Sequence, residues 1–319
     1  MYHANVQNKN RKGALVFLRT VIAVLCGVLT VVSLTSCMMP ETTILIPSQE
    51  HKGILLIKGS IKGTGPYDVF IDTGVDPSVV DLSKARELGL PVDESMSGKA
   101  EGSGDGQGLT VMRASIEGLT LKGREIRSIE ALAADLSSFA SALDSDLALI
   151  LGYSFLKDRV VRFDYRSNEI AITDSTGSLP PPTTPVTTAH RVPLKPNSEE
   201  DMIPIFEIWV HGEAVMVSLD TGKSGGVEFY GSAIDRLGLR QLADAGTAER
   251  RQGARGGRTV SAGTLDVITV GPFDIENVKV SFSDKMPKNG TREGNAGNAF
   301  LRNFVVTVDY VNGELIFER

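Results

Sequence analysis

The sequence predicts an all-β protein made of two related halves, and three observations carry that prediction. Apolar runs are short and are separated by Gly, Asn, Asp and Pro, with few long helical periodicities. The same landmarks occur twice, in the same order. Between the two sets lies Leu179-Pro180-Pro181-Pro182-Thr183-Thr184-Pro185, a run that cannot join a sheet interior and reads as an extended spacer.

In the first half, runs of strand type cover 53–57, 69–71, 129–133, 160–163 and 170–172. In the second they cover 203–210, 278–282 and 315–317. One short helix is expected per half, at 82–88 and at 231–237, each stopped by the glycine of a Leu-Gly-Leu triplet, Gly89 or Gly238, as the residue after the cap.

The repeat is most evident at two copies of Asp-Thr-Gly: Asp72-Thr73-Gly74, after an apolar run ending at Ile71, and Asp220-Thr221-Gly222, after one ending at Leu219. The copies are 148 positions apart. Three further landmarks follow in each half. Leu88-Gly89-Leu90 matches Leu237-Gly238-Leu239, and Leu119 to Gly123 matches Ile268 to Gly271. Gly152-Tyr153-Ser154-Phe155-Leu156 with Val160 to Tyr165 matches Gly297-Asn298-Ala299-Phe300-Leu301 with Val305 to Tyr310. Chance turns in unrelated β-domains explain isolated triplets but not four collinear landmarks, so the two triplets are one position in a duplicated unit.

A chain of 319 residues can hold two domains with real cores. Its net charge of −6, without a basic patch interleaved with aromatics, argues against nucleic-acid binding. The beginning of the chain reads as a targeting segment: Lys9, Arg11, Lys12 and Arg19 precede an apolar stretch over 21–32, too short for a comfortable membrane span, and no acidic residue comes before Glu41. Leu34-Thr35-Ser36-Cys37 follows and resembles the lipobox of bacterial lipoproteins, which implies cleavage before Cys37 and lipidation of that residue. The other cysteine, Cys26, lies inside the apolar stretch, so no disulfide, cysteine metal site or cysteine nucleophile is expected. The expected organisation is a signal peptide at 1–36, a tether at 37–47, a first half at 48–175, a linker at 176–190 and a second half at 191–319. The expected location is the bacterial cell envelope, lipid-anchored and facing the periplasm or exterior.

Each half also contains a glycine-rich stretch without apolar alternation, at 98–108 and at 246–257, the second with Arg250, Arg251 and Arg255 and with Arg258 just after it. Both follow the short helix and precede a strand, where a pliant lid over a cleft would fall.

The chemistry rests on the two aspartates. An Asp at the end of a buried strand, followed by Thr-Gly, sits in a tight turn where the glycine lets a backbone amide reach the carboxylate. Two such turns facing each other would place two carboxylates that cannot both ionise easily, so they hold one proton between them. The ionised member can take a proton from water while the protonated member donates to a substrate carbonyl. The residues that carry this also carry a resemblance. Asp72-Thr73-Gly74-Val75-Asp76-Pro77-Ser78-Val79-Val80 and Leu149-Ile150-Leu151-Gly152 are similar to the motifs of the retropepsin-like aspartic proteases, in the bacterial form with both halves in one chain. Over about residue 50 to the C-terminus, the resemblance implies two β-barrel-like halves forming an intramolecular pseudo-dimer. It implies Asp72 and Asp220 as the catalytic pair, Thr73 and Thr221 bonding across the interface, and Gly74 and Gly222 allowing close backbone approach. It implies an aspartic endopeptidase acting on peptides or proteins, without cofactor or metal, as a monomer.

Two positions depart from the family pattern. Lys223 stands where a small residue is usual, and an ammonium beside the pair would favour both carboxylates ionised. Gly294-Asn295-Ala296 stands where the first half has Leu149-Ile150-Leu151. Neither glycine-rich stretch contains Tyr, Phe or Trp, unlike the flap of pepsin-like relatives. These departures motivate a competing reading, an inactive retropepsin-like lipoprotein that binds peptides or cell-wall material. A third reading pairs Asp72 with Asp72 of another chain. His3, His51, His190 and His211 are scattered without metal-ligand spacing, Ser224 forms no triad pattern, and the glycines from Gly98 lack the Lys-Ser/Thr of a phosphate loop.

Overall fold

The computed structural model describes residues 43–100, 108–174, 179–198, 202–253, 256–284 and 291–319. It is an all-β fold of two repeated halves with curled sheets. The expected signal peptide, Cys37 and Arg255 lie outside the described residues, as do the centre of the first glycine-rich stretch and the start of the expected linker.

Each half is wound around one sheet. In the first, the strand leading to Asp72, Thr64–Ile71, lies between Ile54–Ile61 and Leu147–Leu151. Leu147–Leu151 runs parallel to it and antiparallel to Ser78–Asp81. The second half repeats this: Glu213–Leu219 leads to Asp220, Gly294–Ala296 runs parallel to it, and Val227–Tyr230 is antiparallel beyond. The three-residue strand Gly294–Ala296 thus takes the place of Leu147–Leu151 although it lacks that strand's apolar side chains. One difference concerns continuity. The first half breaks between Thr110–Ile116 and Leu119–Leu121, whereas the second runs as one strand, Gly256–Val270, which also meets Pro204–Val210 through Trp209 and Thr269.

A third, six-stranded antiparallel sheet joins the halves. At its centre Val160–Asp164 pairs with Val305–Asp309, in the register Val160 to Asp309, Arg162 to Thr307 and Asp164 to Val305. Arg162 and Thr307 are the same position of the repeat, so a local two-fold axis passes through this pair. The main apolar cluster is continuous across the halves, from Ile57, Val69 and Phe163 to Phe206, Phe304 and Phe317. Phe304 packs on Phe300 and Phe317 edge to face, at ring-centre distances of 5.9 and 5.4 Å.

The sequence boundaries need correction at two places. The last residues of the expected tether form a strand, Ile44–Pro47, on the edge of the shared sheet against Glu169–Thr173. Ile44 and Ile46 face the core there, and that burial holds the segment down. Likewise Ala189 and His190, expected in the linker, begin the strand Ala189–Pro193 on the opposite edge. The proline run between them is no free spacer, because Arg162 donates to the carbonyl of Pro180 and the buried Asp164 carboxylate accepts from the Thr184 amide at 2.8 Å and hydroxyl at 2.5 Å. Both predicted helices form, at Leu82–Glu87 and Gly231–Arg236. Gly89 and Gly238 follow their caps with φ of +61° and +68°, a conformation that costs glycine least.

The described residues of the glycine-rich stretches lie in or beside paired strands. The first borders a hairpin of Val92–Lys99 with Thr110–Ile116, and the second is largely the hairpin of Thr247–Gly253 with Gly256–Val270. Backbone pairing fixes these strands where apolar alternation does not announce them.

Replacing Asp164 with Ala should cost about 1–3 kcal/mol, because Thr184 loses its buried acceptor. Urea unfolding measures this, and cleavage by an added protease near Thr184 should accelerate. An unchanged midpoint and cleavage rate would mean the segment is held by other contacts.

Candidate active site

The two Asp-Thr-Gly turns meet on the two-fold axis. The Thr73 amide donates to the Thr221 hydroxyl at 3.0 Å, and the Thr221 amide donates to the Thr73 hydroxyl at 3.1 Å. Each hydroxyl donates in turn to the opposite strand end, Thr73 to the Leu219 carbonyl at 2.7 Å and Thr221 to the Ile71 carbonyl at 2.8 Å. Both threonines are buried, so all four bonds are sheltered from water. Neither half can move alone without leaving buried donors unpaired.

The aspartates are set by matching bonds. The Asp72 amide donates to the Leu151 carbonyl and the Asp220 amide to the Ala296 carbonyl, each at 3.0 Å. One oxygen of each carboxylate accepts from the amide two residues on, Gly74 for Asp72 at 2.7 Å and Gly222 for Asp220 at 2.8 Å. The glycines are required by space: a Cβ on Gly74 would lie 2.9 Å from Asp220 Oδ1 and 3.1 Å from Asp72 Oδ1. A Cβ on Gly222 would collide with the Asp72 carboxylate. Both carboxylates therefore crowd the same small volume. Burial, and then the Asp220 charge, push the Asp72 carboxyl well above the usual range, against the lowering effect of the Gly74 and Gly222 amides.

Lys223 is engaged by a carboxylate other than this pair. Its ammonium lies 2.8 Å from Glu228, whose carboxylate is 1% exposed and also meets Arg258 at 2.6 Å. Burial alone would raise the Glu228 carboxyl, but Lys223 and Arg258 more than offset it and hold it below the usual range. Arg258 belongs to the second hairpin, so this cluster ties the Asp220 loop to that hairpin. Arg251 of the same hairpin also lies against the loop, with Nη1 3.1 Å from where a Gly225 Cβ would stand.

Several supporting residues were not evident from the sequence. Asn298 is buried, donates to the carbonyls of Thr221 at 2.8 Å and Gly53 at 2.9 Å, and accepts from Tyr165 across the interface. Ser78 accepts from the Gly152 amide at 3.0 Å and from Ser154 at 2.8 Å, locking the first loop from behind. Asn295 donates to Asp220 Oδ2 at 2.6 Å. Each sits in or beside a repeated landmark, and position within the repeat was the available signal. The described histidines stay apart: His51 and His211 each lie 3.2 Å from a backbone carbonyl, and His190 sits against Gly271.

Two β-halves, each delivering an Asp-Thr-Gly turn to a common axis, define a protein of aspartic-protease type. A family model described as aspartyl protease matches residues 57–155 and 206–298, and the chain belongs to that family. A retropepsin-like aspartic protease from Rickettsia conorii is a structural match at 14% identity and a TM-score of 0.31, covering 41% of this chain and 91% of that one. No curated protein matches the chain.

Glu228→Gln should destabilise the protein by about 3–5 kcal/mol at neutral pH, since two cations lose their buried partner. Because the Glu228 carboxyl is held low in the folded state, its stabilisation is present above the ordinary carboxylate range and fades as pH falls through the lowered value. The gap between variant and parent should therefore narrow in acid, as followed by thermal unfolding. A constant gap would show that the cluster contributes packing rather than charge.

Proposed function

We propose that the protein is an aspartic endopeptidase in which Asp72 and Asp220 activate a water molecule against a peptide bond. The observation that carries this reading is the reciprocal Thr73–Thr221 bonding, which holds the two carboxylates around Gly74 and Gly222. With one proton between them, one carboxylate takes a proton from water as its oxygen attacks the carbonyl carbon. The other donates its proton to the carbonyl oxygen, giving a neutral tetrahedral diol. Return of a proton to the amide nitrogen then releases the amine and regenerates the shared-proton state. No covalent enzyme intermediate forms.

The competing reading, a protein that binds peptides or cell-wall material without cutting, drew on Lys223. The ion pair of Lys223 with Glu228 weighs against it, since that ammonium is held by a buried carboxylate, shared with Arg258. One chain supplies both aspartates, which favours a monomer over pairing of Asp72 between two chains. The lipobox-like Leu34-Thr35-Ser36-Cys37 supports a lipid anchor on Cys37, holding the enzyme at the cell envelope with its substrates outside the cytoplasm.

Asp72→Asn and Asp220→Asn should each reduce cleavage of a peptide library by at least about 10³-fold, judged against the range for positioned acid–base groups acting as a unit. Circular dichroism should show an unchanged fold. Retention of activity in either variant contradicts the intramolecular pair. Cys37→Ala should move the cellular protein from the detergent phase to the aqueous phase in a phase-partition assay, and continued detergent partitioning contradicts lipidation at Cys37.

A further inference from the structure

The two halves differ on one face of the sheet that carries the aspartates. In the first half, Phe70, Ile150 and Val79 are neighbours on adjacent strands, Ile150 pairing with both others. They form an apolar cluster with Val75, covered by Phe139, Ala140 and Leu143 of the helix Ser137–Leu143. In the second half the same register positions hold Ser218, Asn295 and Glu228, with Asn295 pairing with both others. Lys223 takes the place of Val75, one residue after the triplet glycine. An apolar set in one copy is therefore a hydrogen-bonded polar set in the other.

This polar set reaches the catalytic pair. Ser218 Oγ donates to Asn295 Oδ1 at 3.1 Å and so turns the amide until its NH₂ faces Asp220. Asn295 Nδ2 then donates to Asp220 Oδ2 at 2.6 Å, while Gly222 holds Oδ1. Both Asp220 oxygens accept fixed donors. On the other side Asp72 accepts from the backbone amides of Gly74 and Gly222, and the position equivalent to Asn295 is Ile150, which has no proton to offer. Hydrogen bonds from fixed donors favour the ionised carboxylate, whereas apolar burial favours the neutral acid. Environments that push two carboxyl groups apart assign their roles.

Resting on the endopeptidase reading, we propose that Asn295 is a positioning residue that makes Asp220 the ionised, water-activating member of the pair and leaves the shared proton on Asp72. Of the other groups near Asp220, Tyr165 and Tyr230 are buried phenols whose ionisation is pushed up by burial, so they stay neutral. Lys223 and Arg258 both bond to Glu228, and the three together carry one net positive charge that Asn295→Leu leaves in place; Asp72 is the partner itself. In catalysis Asp220 takes the proton of the attacking water and Asp72 gives its proton to the carbonyl oxygen. The roles reverse when the amine leaves, so protons balance over the cycle.

The test uses the full chain in detergent with aspartate carboxyl carbons labelled with ¹³C, compared with Asn295→Leu and Ser218→Ala. The carboxyl signals of the pair are assigned from Asp72→Asn and Asp220→Asn spectra. The parent should show Asp220 ionising before Asp72. In Asn295→Leu the first ionisation of the pair should move up by roughly one to two pH units, the size of one charge-assisted hydrogen bond. The acid limb of kcat/KM should follow it, with KM little changed. Ser218→Ala frees the amide without removing it and should move both readouts the same way by less, and it serves alone if Asn295→Leu does not fold. Ionisation of Asp72 first in the parent, or an unmoved first ionisation in a folded variant, overturns the role of Asn295. Cleavage that stays intact beside an unmoved titration rejects this inference and leaves the endopeptidase standing. A parent that titrates as described but cuts no peptide rejects the endopeptidase, while Asn295 still sets the charge.

Discussion

Thr73 and Thr221 exchange amide-to-hydroxyl bonds across the axis between the halves, and the placement of both carboxylates depends on that exchange. Each threonine also ties to the strand end that carries the opposite aspartate. Since these groups are buried, water cannot substitute for a lost partner, and the arrangement is held as a unit. The same axis recurs in the shared sheet, where Arg162 pairs with Thr307. The halves are thus registered twice, once by a sheet and once by the Asp-Thr-Gly turns. Two carboxylates that repel when both are charged need such a frame to stay close.

Duplication supplies the frame, and divergence makes the surroundings of the two carboxyl groups unequal. Asp72 lies on the side of an apolar cluster and its carboxyl is pushed up by burial and by Asp220. Asp220 lies beside Asn295, Ser218 and the Glu228 cluster. An identical pair would have to share its proton evenly. Unequal surroundings let the pair adopt one starting state, which is what directional proton transfer requires. The Glu228 cluster also explains how Lys223 coexists with the pair, because its ammonium is held by a carboxylate within the same half.

Much of this was legible in the sequence. The two Asp-Thr-Gly triplets, the Leu-Gly-Leu helix stops and the Gly-x-x-Phe-Leu landmarks located the repeat, the helices and the two facing turns, because each is a local backbone requirement. Ile44–Pro47 is a short edge strand flanked by polar residues, and it carries too little pattern to stand out from a tether. The hairpins around the glycine-rich stretches were hidden for a related reason: their strands pair through backbone and leave little apolar alternation to read. Asn295 was noticed only as a missing apolar residue. That it donates to Asp220 depends on strand pairing between positions 75 apart, and no local rule predicts such a contact.

The central claim is that Asp72 and Asp220 hold one proton between them in a single chain. Neutron diffraction from deuterium-exchanged crystals at mildly acidic pH tests it most directly. One deuteron is expected on the pair, carried by Asp72, with the Asn295 amide donating to a bare Asp220. Carboxylates that are both bare, or turned apart with Thr73 and Thr221 no longer bonded to each other, would contradict it.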